Sequence, residues 1–194
     1  MKPSDTRKPE HPINPLLLDR WSPRAMSGAS ISKTELLQLF EAAKWAPSSY
    51  NNQPWRFVYA EKESSHWKNF FNLLVEFNQQ WCKNAAVLVV ALSRKNFASN
   101  EKPARTHSFD AGAAWENLAL QGTTMGLVVH AMEGFDYDKA KKELEIPDEY
   151  NVEAMIAIGK PGNKADLPAA IQEREYPSDR RKLAETIFEG RFSY

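Results

Sequence analysis

This sequence has few of the features that mark secreted, disulfide-linked or membrane-spanning proteins. Its single cysteine, Cys82, cannot form a disulfide within the chain, and nothing indicates an oxidising compartment. Residues 1–12 lack the apolar segment of a signal peptide. The longest apolar run, residues 85–92, is too short to span a bilayer. We therefore expect a cytoplasmic protein that does not enter a membrane, with Cys82 as a buried or half-buried bystander.

The sequence also lacks an excess of charge of either sign. Lysine plus arginine number 25 and aspartate plus glutamate number 25, which gives a formal net charge of +0. No long-range field then attracts nucleic acid or an anionic membrane, so an anion must be held by a local basic cluster. The length of 194 residues, with 42% hydrophobic residues, fits one domain with a substantial core. We assign this domain to residues 16–194, after a flexible, proline-rich arm over residues 1–15.

Several common catalytic motifs are absent. No G-x-G-x-x-G follows a predicted strand, which argues against a Rossmann dinucleotide site. No G-x-S-x-G marks a hydrolase nucleophile, and the four histidines are scattered without the spacing of metal ligands. We therefore predict neither a metal site nor serine-nucleophile chemistry, and we interpret His130 as a packed histidine.

The most informative stretch is the loop over residues 45–57, W-A-P-S-S-Y-N-N-Q-P-W-R-F. Its amides and hydroxyls can hydrogen-bond a flat, heteroatom-rich ligand, and Trp45, Tyr50 and Trp55 can enclose that ligand. Proline, serine and asparagine are also the residues that turns prefer, so an ordinary helix-to-strand turn is the alternative.

Two basic segments lie far apart in the sequence. Arg20 and Arg24 flank Ser22, and this combination suits a phosphate group, although a surface arginine pair with Asp19 would look the same. Near the C-terminus, residues 180–182 form the densest basic cluster of the chain, for which a solvated surface is the alternative. Together the two segments could neutralise one phosphate.

Hydrophobic periodicity predicts the secondary structure around these motifs. The predicted helices cover residues 33–45, 63–80, 108–125, 136–144 and 183–188. The predicted strands cover residues 56–60, 85–92, 127–132 and 154–159. Ser32 and Glu35 form a capping box at the start of the first of these helices. Residues 93–106 are polar and unpatterned, which makes them the candidate for a mobile lid.

The ordered pair of motifs resembles the nitroreductase family of flavin enzymes. That family has R-x-S-x-[RK] near its N-terminus and, one helix later, [AS]-P-S-x-x-N-x-Q-P-W-x-F. Both occur here in that order, and the likeness continues through residues 110–117 (D-A-G-A-A-W-E-N) and 133–135 (E-G-F). The resemblance implies an α+β fold in which helices flank a central, mostly antiparallel sheet. It also implies FMN bound at a homodimer interface.

The resemblance further implies a set of flavin contacts. Arg20, Ser22 and Arg24 would engage the phosphate, the ribityl chain and the pyrimidine edge, and Trp21 would contribute mainly its backbone. The other implied contacts are Pro47, Ser48, Ser49 and Asn51 from the partner subunit, Asn78 at the flavin, Glu133 and Gly134 near flavin N5, and Arg180 or Arg181 at the phosphate. One departure is Ser178, which stands where the family often has a phosphate-binding lysine.

The implied activity is ping-pong hydride transfer from NAD(P)H, through FMN, to nitro compounds, quinones or similar electron-poor small molecules. The protein would supply orientation and charge and would need no catalytic side chain of its own. Other family chemistries stay open at this point, namely dehalogenation, enal reduction and flavin fragmentation. An alternative of another class is a non-enzymatic module that binds a nucleotide or a partner protein. The sequence leaves open the acceptor and the preferred nicotinamide.

Overall fold

A four-stranded antiparallel sheet forms the centre of the computed structural model, which describes residues 2–192. The strand order is β1-β2-β4-β3, so β1 and β3 are the edge strands, and every neighbouring pair runs antiparallel. This confirms the predicted α+β fold with an antiparallel sheet. The strands are β1 (Trp55–Glu61), β2 (Val87–Arg94), β3 (Val128–Met132) and β4 (Tyr150–Gly159).

Helices cover both faces of the sheet. The helices are α1 (Pro15–Asp19), α2 (Lys33–Lys44), α3 (Trp67–Phe71), α4 (Glu76–Cys82), α5 (His107–Thr124), α6 (Tyr137–Glu143) and α7 (Ala169–Gln172). Short 3-10 turns occur at residues 3–5, 49–51, 164–166 and 183–185. Within residues 2–192, no helix combines the length and the apolar character that crossing a membrane requires.

The core has two halves because the central strands are buried on both sides. On one face, α2 and α5 pack on the sheet through residues such as Leu39 and Leu118. On the other face, α3 and α4 contribute Phe70, Trp81 and the fully buried Cys82. Alternating residues of β2 enter the two halves in turn, which explains the continuous apolar run in the sequence.

The predicted helix over residues 63–80 is wrong, since the structure has the separate helices α3 and α4 there. The chain leaves the helical path between them because the Val75 N–H donates to the Gly134 carbonyl oxygen at 3.1 Å. The Asp136 N–H likewise donates to the Leu73 carbonyl oxygen at 2.9 Å. These long-range hydrogen bonds replace intrahelical ones, which the local apolar periodicity does not reveal.

Strand β4 is four residues longer at its start than the predicted strand over residues 154–159. The missed part includes the polar residues Asn151 and Glu153, which hid the strand pattern. Glu153 lies in a β-bulge, because Ala91 pairs with Ala154 while Leu92 pairs with Val152. A bulge redirects side chains, and this one becomes relevant at the root of the 95–106 loop.

Helix α2 begins with the predicted capping box. The Glu35 N–H donates to Ser32 Oγ at 3.1 Å, and the Ser32 N–H donates to Glu35 Oε2 at 2.7 Å. The helix ends at Lys44 and leads directly into the 45–57 loop. The capping box therefore fixes where the helix before that loop begins.

We predict that Ser32→Ala lowers the free energy of unfolding by about 1 kcal/mol, because it leaves the Glu35 N–H without its cap. Urea unfolding monitored by circular dichroism measures this change. The matched control is Thr34→Ala, two residues along the same helix and exposed, which we expect to be neutral or slightly stabilising. Equal effects of the two substitutions would contradict the capping role.

In the edge strand β3, the side chain of His130 is packed as the sequence analysis predicted. Its side chain is 8% exposed, and its ring centroid lies 4.6 Å from that of Trp81. Its Nδ1–H donates to the Pro23 carbonyl oxygen at 2.9 Å. The pKa of His130 is lowered from 6.5 to about 4, mainly by burial and also by the charge of Arg24, while hydrogen bonds to the backbone act in the opposite direction.

The lowered pKa of His130 predicts a pH-dependent stability. Between pH 6.5 and about 4 the unfolded chain binds a proton that the folded protein does not, so stability falls as pH decreases through this window. We expect His130 to account for a loss of about 2 kcal/mol between pH 7 and pH 5. In His130→Gln, which keeps an N–H donor but does not titrate, this part of the loss should be absent.

Urea unfolding of both proteins at the two pH values, at equal protein and flavin concentrations, measures the difference. The carboxyl groups shared by both proteins cancel in this comparison. Identical pH profiles would show that His130 titrates normally in the folded state.

Candidate functional site

The candidate site begins at the segment of residues 20–26, which lies beside the edge strand β3. Arg20 has extended backbone angles, with φ −68° and ψ 119°, and Met26 forms an isolated bridge with Pro161. Successive side chains of an extended segment point to opposite sides. Trp21 and Pro23 line a cleft of about 960 Å³, and within the described residues neither Arg20 nor Arg24 lines it.

A buried carboxylate fixes this segment. Glu175 accepts hydrogen bonds from the Arg24 N–H at 2.8 and 3.0 Å and from the Ala25 N–H at 2.9 Å. Its side chain is only 4% exposed, and Arg24 Nη1 lies 4.0 Å from Glu175 Oε2. Amide donors and a nearby cation compensate a carboxylate for the water it loses on burial. The C-terminal part of the chain therefore sets the position of Arg24.

Arg20 forms an ion pair with Glu116 of α5, and the charge of Arg180 acts on the same carboxyl group. Arg20 Nε lies 3.3 Å from Glu116 Oε1, and the guanidinium group lies 5.9 Å from the ring centroid of Trp115. Burial raises the pKa of Glu116, while the charges of Arg20 and Arg180 act in the opposite direction. The structure thus brings together two arginines that are 160 positions apart in the sequence. Arg181 is exposed and has no polar side-chain contact within residues 2–192.

A second part of the site lies where β3 ends. Asn78 is buried, its Nδ2 donates to the Gly134 carbonyl oxygen at 2.9 Å, and its Oδ1 accepts from Trp81 Nε1 at 3.2 Å. A Cβ atom on Gly134 would lie 2.5 Å from Asn78 Nδ2, so any larger residue there would displace the Asn78 side chain. The Gly134 N–H donates no hydrogen bond within the described residues, which leaves it available to a ligand. Glu133 is exposed.

Trp81 and His130 connect these two parts of the site. Trp81 contacts Asn78 by its indole N–H and His130 by its ring face, and His130 in turn binds the Pro23 carbonyl oxygen. A continuous chain of buried contacts therefore runs from the arginine segment to Gly134. Such packing holds the ends of a binding site at a fixed separation.

The 45–57 loop stands apart from this group. The Ser49 N–H donates to Asp110 Oδ2 at 3.1 Å, and Ser48 Oγ accepts from the Gln53 N–H at 3.0 Å. Tyr50, Asn51 and Gln53 adopt left-handed backbone angles, with φ of 51°, 53° and 49°. Residues without the freedom of glycine are strained in this region, and such strain is concentrated at functional sites.

Within residues 2–192, no hydrogen bond or ring contact joins this loop to the arginine segment, to Gly134 or to Arg180. Pro47 and Asn51 are exposed, and Ser48 and Ser49 are half-buried. The residues implied by the family resemblance therefore form two separate groups in one subunit. The four loop residues form the second group. The residues that belong to or border the first group are Arg20, Trp21, Ser22, Arg24, Asn78, Gly134 and Arg180.

The predicted lid over residues 93–106 starts two residues too early, because Ser93 and Arg94 belong to β2. The remaining loop is tethered at several points. Arg94 Nη2 lies 2.6 Å from Glu101 Oε1, and the Ala98 N–H donates to Asn52 Oδ1 at 3.0 Å. The loop therefore rests against the 45–57 loop.

A cluster at the root of this loop was missed by the sequence analysis. Ser93 Oγ contacts His107 Nδ1 at 2.6 Å and donates to Glu153 Oε1, which also accepts from Ser108 Oγ at 2.7 Å. Serine and glutamate approach the same histidine nitrogen, and Ser93 is fully buried. In a catalytic triad the histidine contacts the serine with one ring nitrogen and the carboxylate with the other. Because both partners share Nδ1 here, this cluster is not a nucleophile site. It instead joins β2, β4 and α5.

Other important residues were also invisible in the sequence. Asp110, Glu116 and Glu175 are isolated acidic residues, and their partners lie 61, 96 and 151 positions away along the chain. No local motif surrounds Glu175, so only the structure shows what it binds. Asp110 and Glu116 fall within the segment that resembles the flavin family, which was the one available signal.

Comparisons with known proteins agree with this architecture. The sequence model of the nitroreductase family matches residues 17–74 and 60–160. A crystal structure described as an oxidoreductase containing FMN has a TM-score of 0.94 and 50% identity, and the match covers 100% of this chain and 99% of that one.

Two curated proteins add to these matches. A Mycolicibacterium smegmatis protein described as an uncharacterized 15.4 kDa protein in ask 5'region is 30% identical over 120 residues, which is 61% of this chain and 80% of that protein. The oxygen-insensitive NADPH nitroreductase of Helicobacter pylori strain J99 is 39% identical over 64 residues, which is 33% of this chain and 30% of that enzyme. Because the family model matches most of its length, this chain belongs to the nitroreductase family.

Proposed function

We propose that this FMN-dependent oxidoreductase takes hydride from NAD(P)H and delivers it to nitro compounds, quinones or similar electron-poor small molecules by a ping-pong reaction. The observation that supports this most strongly is the ion pair of Arg20 with Glu116, a carboxyl group on which the charge of Arg180 also acts. Two guanidinium groups beside each other repel unless anions neutralise them, and one half-buried carboxylate does so only in part. A phosphate monoester supplies the remaining negative charge.

The donors present in this chain fit FMN. Arginine forks bind phosphate oxygens in bidentate geometry, and the Ser22 hydroxyl adds a neutral donor between Arg20 and Arg24. The Gly134 N–H lacks an acceptor within the described residues and suits a ring nitrogen of the isoalloxazine. Asn78 holds the Gly134 carbonyl oxygen, which orients the neighbouring peptide groups.

When bound, FMN would supply the hydride-transfer chemistry between nicotinamide and acceptor, so no protein nucleophile is required. The protein's part is orientation and charge. The backbone N–H of Arg24 is held by the Glu175 carboxylate. The Arg24 side chain would thereby provide a fixed positive charge toward the pyrimidine edge of the flavin, where reduction adds negative charge. Preorganised charge of this kind needs no rearrangement during the reaction.

We further propose that the site is completed in a homodimer. Within one subunit the 45–57 loop lies apart from the arginine segment, and its side chains Trp45 and Tyr50 are 76% and 94% exposed. Phe109, at the start of α5 beside this loop, is 81% exposed. Large apolar side chains that are exposed together indicate a contact surface. A second copy placed on this surface would supply Pro47, Ser48, Ser49 and Asn51 to the flavin.

The proposed function predicts the visible absorption spectrum of the purified protein. Flavin bands should be present, or appear on addition of FMN, and should bleach under anaerobic NADH or NADPH. Oxidised bands should return when a nitroaromatic compound or a quinone is added. A colourless protein that fails to bind added FMN would contradict the proposal and favour a non-enzymatic binding module. Bleaching without reoxidation by these acceptors would leave flavin reduction intact but reject the acceptor class.

We predict that Arg24→Ala weakens FMN binding or slows flavin reduction by about tenfold or more, because a charge-assisted contact is lost. Its backbone N–H still donates to Glu175, so the segment keeps its anchor. Fluorescence titration with FMN and stopped-flow reduction measure the two quantities. The matched control is Arg105→Ala, an exposed arginine outside the site, which should leave both unchanged. Wild-type values for both quantities in Arg24→Ala would reject the role of Arg24.

A further inference from the structure

Arg7 joins the two chain segments that contain Arg20 and Arg180. Its Nη1 donates to the carbonyl oxygens of Leu18 at 2.6 Å and of Arg20 at 3.0 Å. Its Nε donates to the carbonyl oxygen of Ser178 at 3.1 Å. One guanidinium group therefore binds backbone carbonyl oxygens in both the segment of Arg20 and the segment of Arg180. The longest of these contacts spans 171 positions of the sequence.

The N-terminal arm that contains Arg7 is itself held in place. The Ser4 N–H donates to Asp19 Oδ1 at 2.9 Å, so the arm contacts the end of α1 at a second point. Burial lowers the pKa of Arg7, and the charges of Arg180 and Arg20 lower it further, while Asp179 and Asp19 act in the opposite direction. Arg20 and Arg180 are thus both close enough to Arg7 to act on it electrostatically.

We propose that Arg7 is a positioning residue that sets the separation of Arg20 and Arg180 for a phosphate monoester. This inference rests on the proposed function, because it takes FMN as the ligand whose phosphate these arginines bind. Arg7 lies outside the matched family segments, which begin at residue 17, and it belongs to none of the flavin motifs in the sequence. The proposed positioning residue therefore comes from the N-terminal arm of this chain.

The shape of the side chain explains why arginine is needed. A guanidinium group presents several N–H donors in a rigid, planar fork, and Arg7 uses two of its nitrogens to reach three carbonyl oxygens. Lysine has the same charge but only one nitrogen on a flexible stem. If Arg7 acts by position, lysine cannot replace it; if it acts only by charge, lysine can.

The test compares the affinities of the flavin-free protein for FMN and for riboflavin, which lacks the phosphate. We expect Arg7→Ala to weaken FMN binding by about tenfold or more and to leave riboflavin binding nearly unchanged. Arg7→Lys should recover little of the loss. The matched control is Lys8→Ala, which removes a positive charge from the same arm without breaking a backbone contact, and it should behave as wild type.

A double-mutant cycle gives an independent readout. If Arg7 acts through Arg180, then Arg7→Ala should cost little further FMN affinity in an Arg180→Ala background. Fully additive losses would overturn the inference. So would equal losses for FMN and riboflavin, which indicate a general structural role, or full rescue by Arg7→Lys.

Failure of the inference is distinguishable from failure of the proposed function. A wild-type protein that binds FMN, together with an Arg7→Ala variant of unchanged FMN affinity, would overturn the role of Arg7 alone. A wild-type protein that binds neither flavin would reject the proposed function, and the inference with it. Thermal unfolding of each variant shows whether a lost affinity reflects a lost fold.

Discussion

The candidate site depends on the hydrogen bonds that the buried carboxylate of Glu175 accepts. It accepts hydrogen bonds from two successive amides, at Arg24 and Ala25, and lies beside the Arg24 guanidinium. Burying a charge is costly unless donors replace the lost water, and here amides and a cation do so. This contact joins the C-terminal part of the chain to the segment along β3. The side chains that alternate along that segment are thereby fixed relative to the sheet.

From this anchor, two sets of contacts extend to the ends of the site. Trp81 and His130 transmit the position of the segment to Asn78 and Gly134, through contacts that are almost entirely buried. At the other end, the N-terminal arm and the segment of Arg180 meet near Glu116, where basic side chains gather in a chain of zero formal net charge. Positive charge is thus concentrated locally, an arrangement that favours an anionic ligand without a long-range field of the whole protein.

The parts of this account that the sequence could predict are those with a local pattern. Helices α2 and α5 follow from apolar periodicity and strand β2 from a continuous apolar run, and the capping box marks the start of α2. The break between α3 and α4 could not be predicted, because it depends on a hydrogen bond from Val75 to Gly134. The bulge at Glu153 depends likewise on its pairing with β2. Family motifs indicated Arg20 and Arg180, whereas Arg7 binds distant backbone carbonyls that leave no mark on the neighbouring sequence.

In the proposed site, a group of guanidinium side chains holds the phosphate monoester of FMN as its dianion. Phosphorus NMR of FMN bound to the wild-type protein tests this most directly, as a function of pH. A free phosphate monoester takes up a proton at about pH 6, which moves its resonance. Neighbouring positive charges favour the dianion, so the bound resonance should stay constant through this pH range while the protein remains folded. A bound phosphate that titrates like free FMN would contradict the claim, because it would show that no fixed positive charge surrounds it.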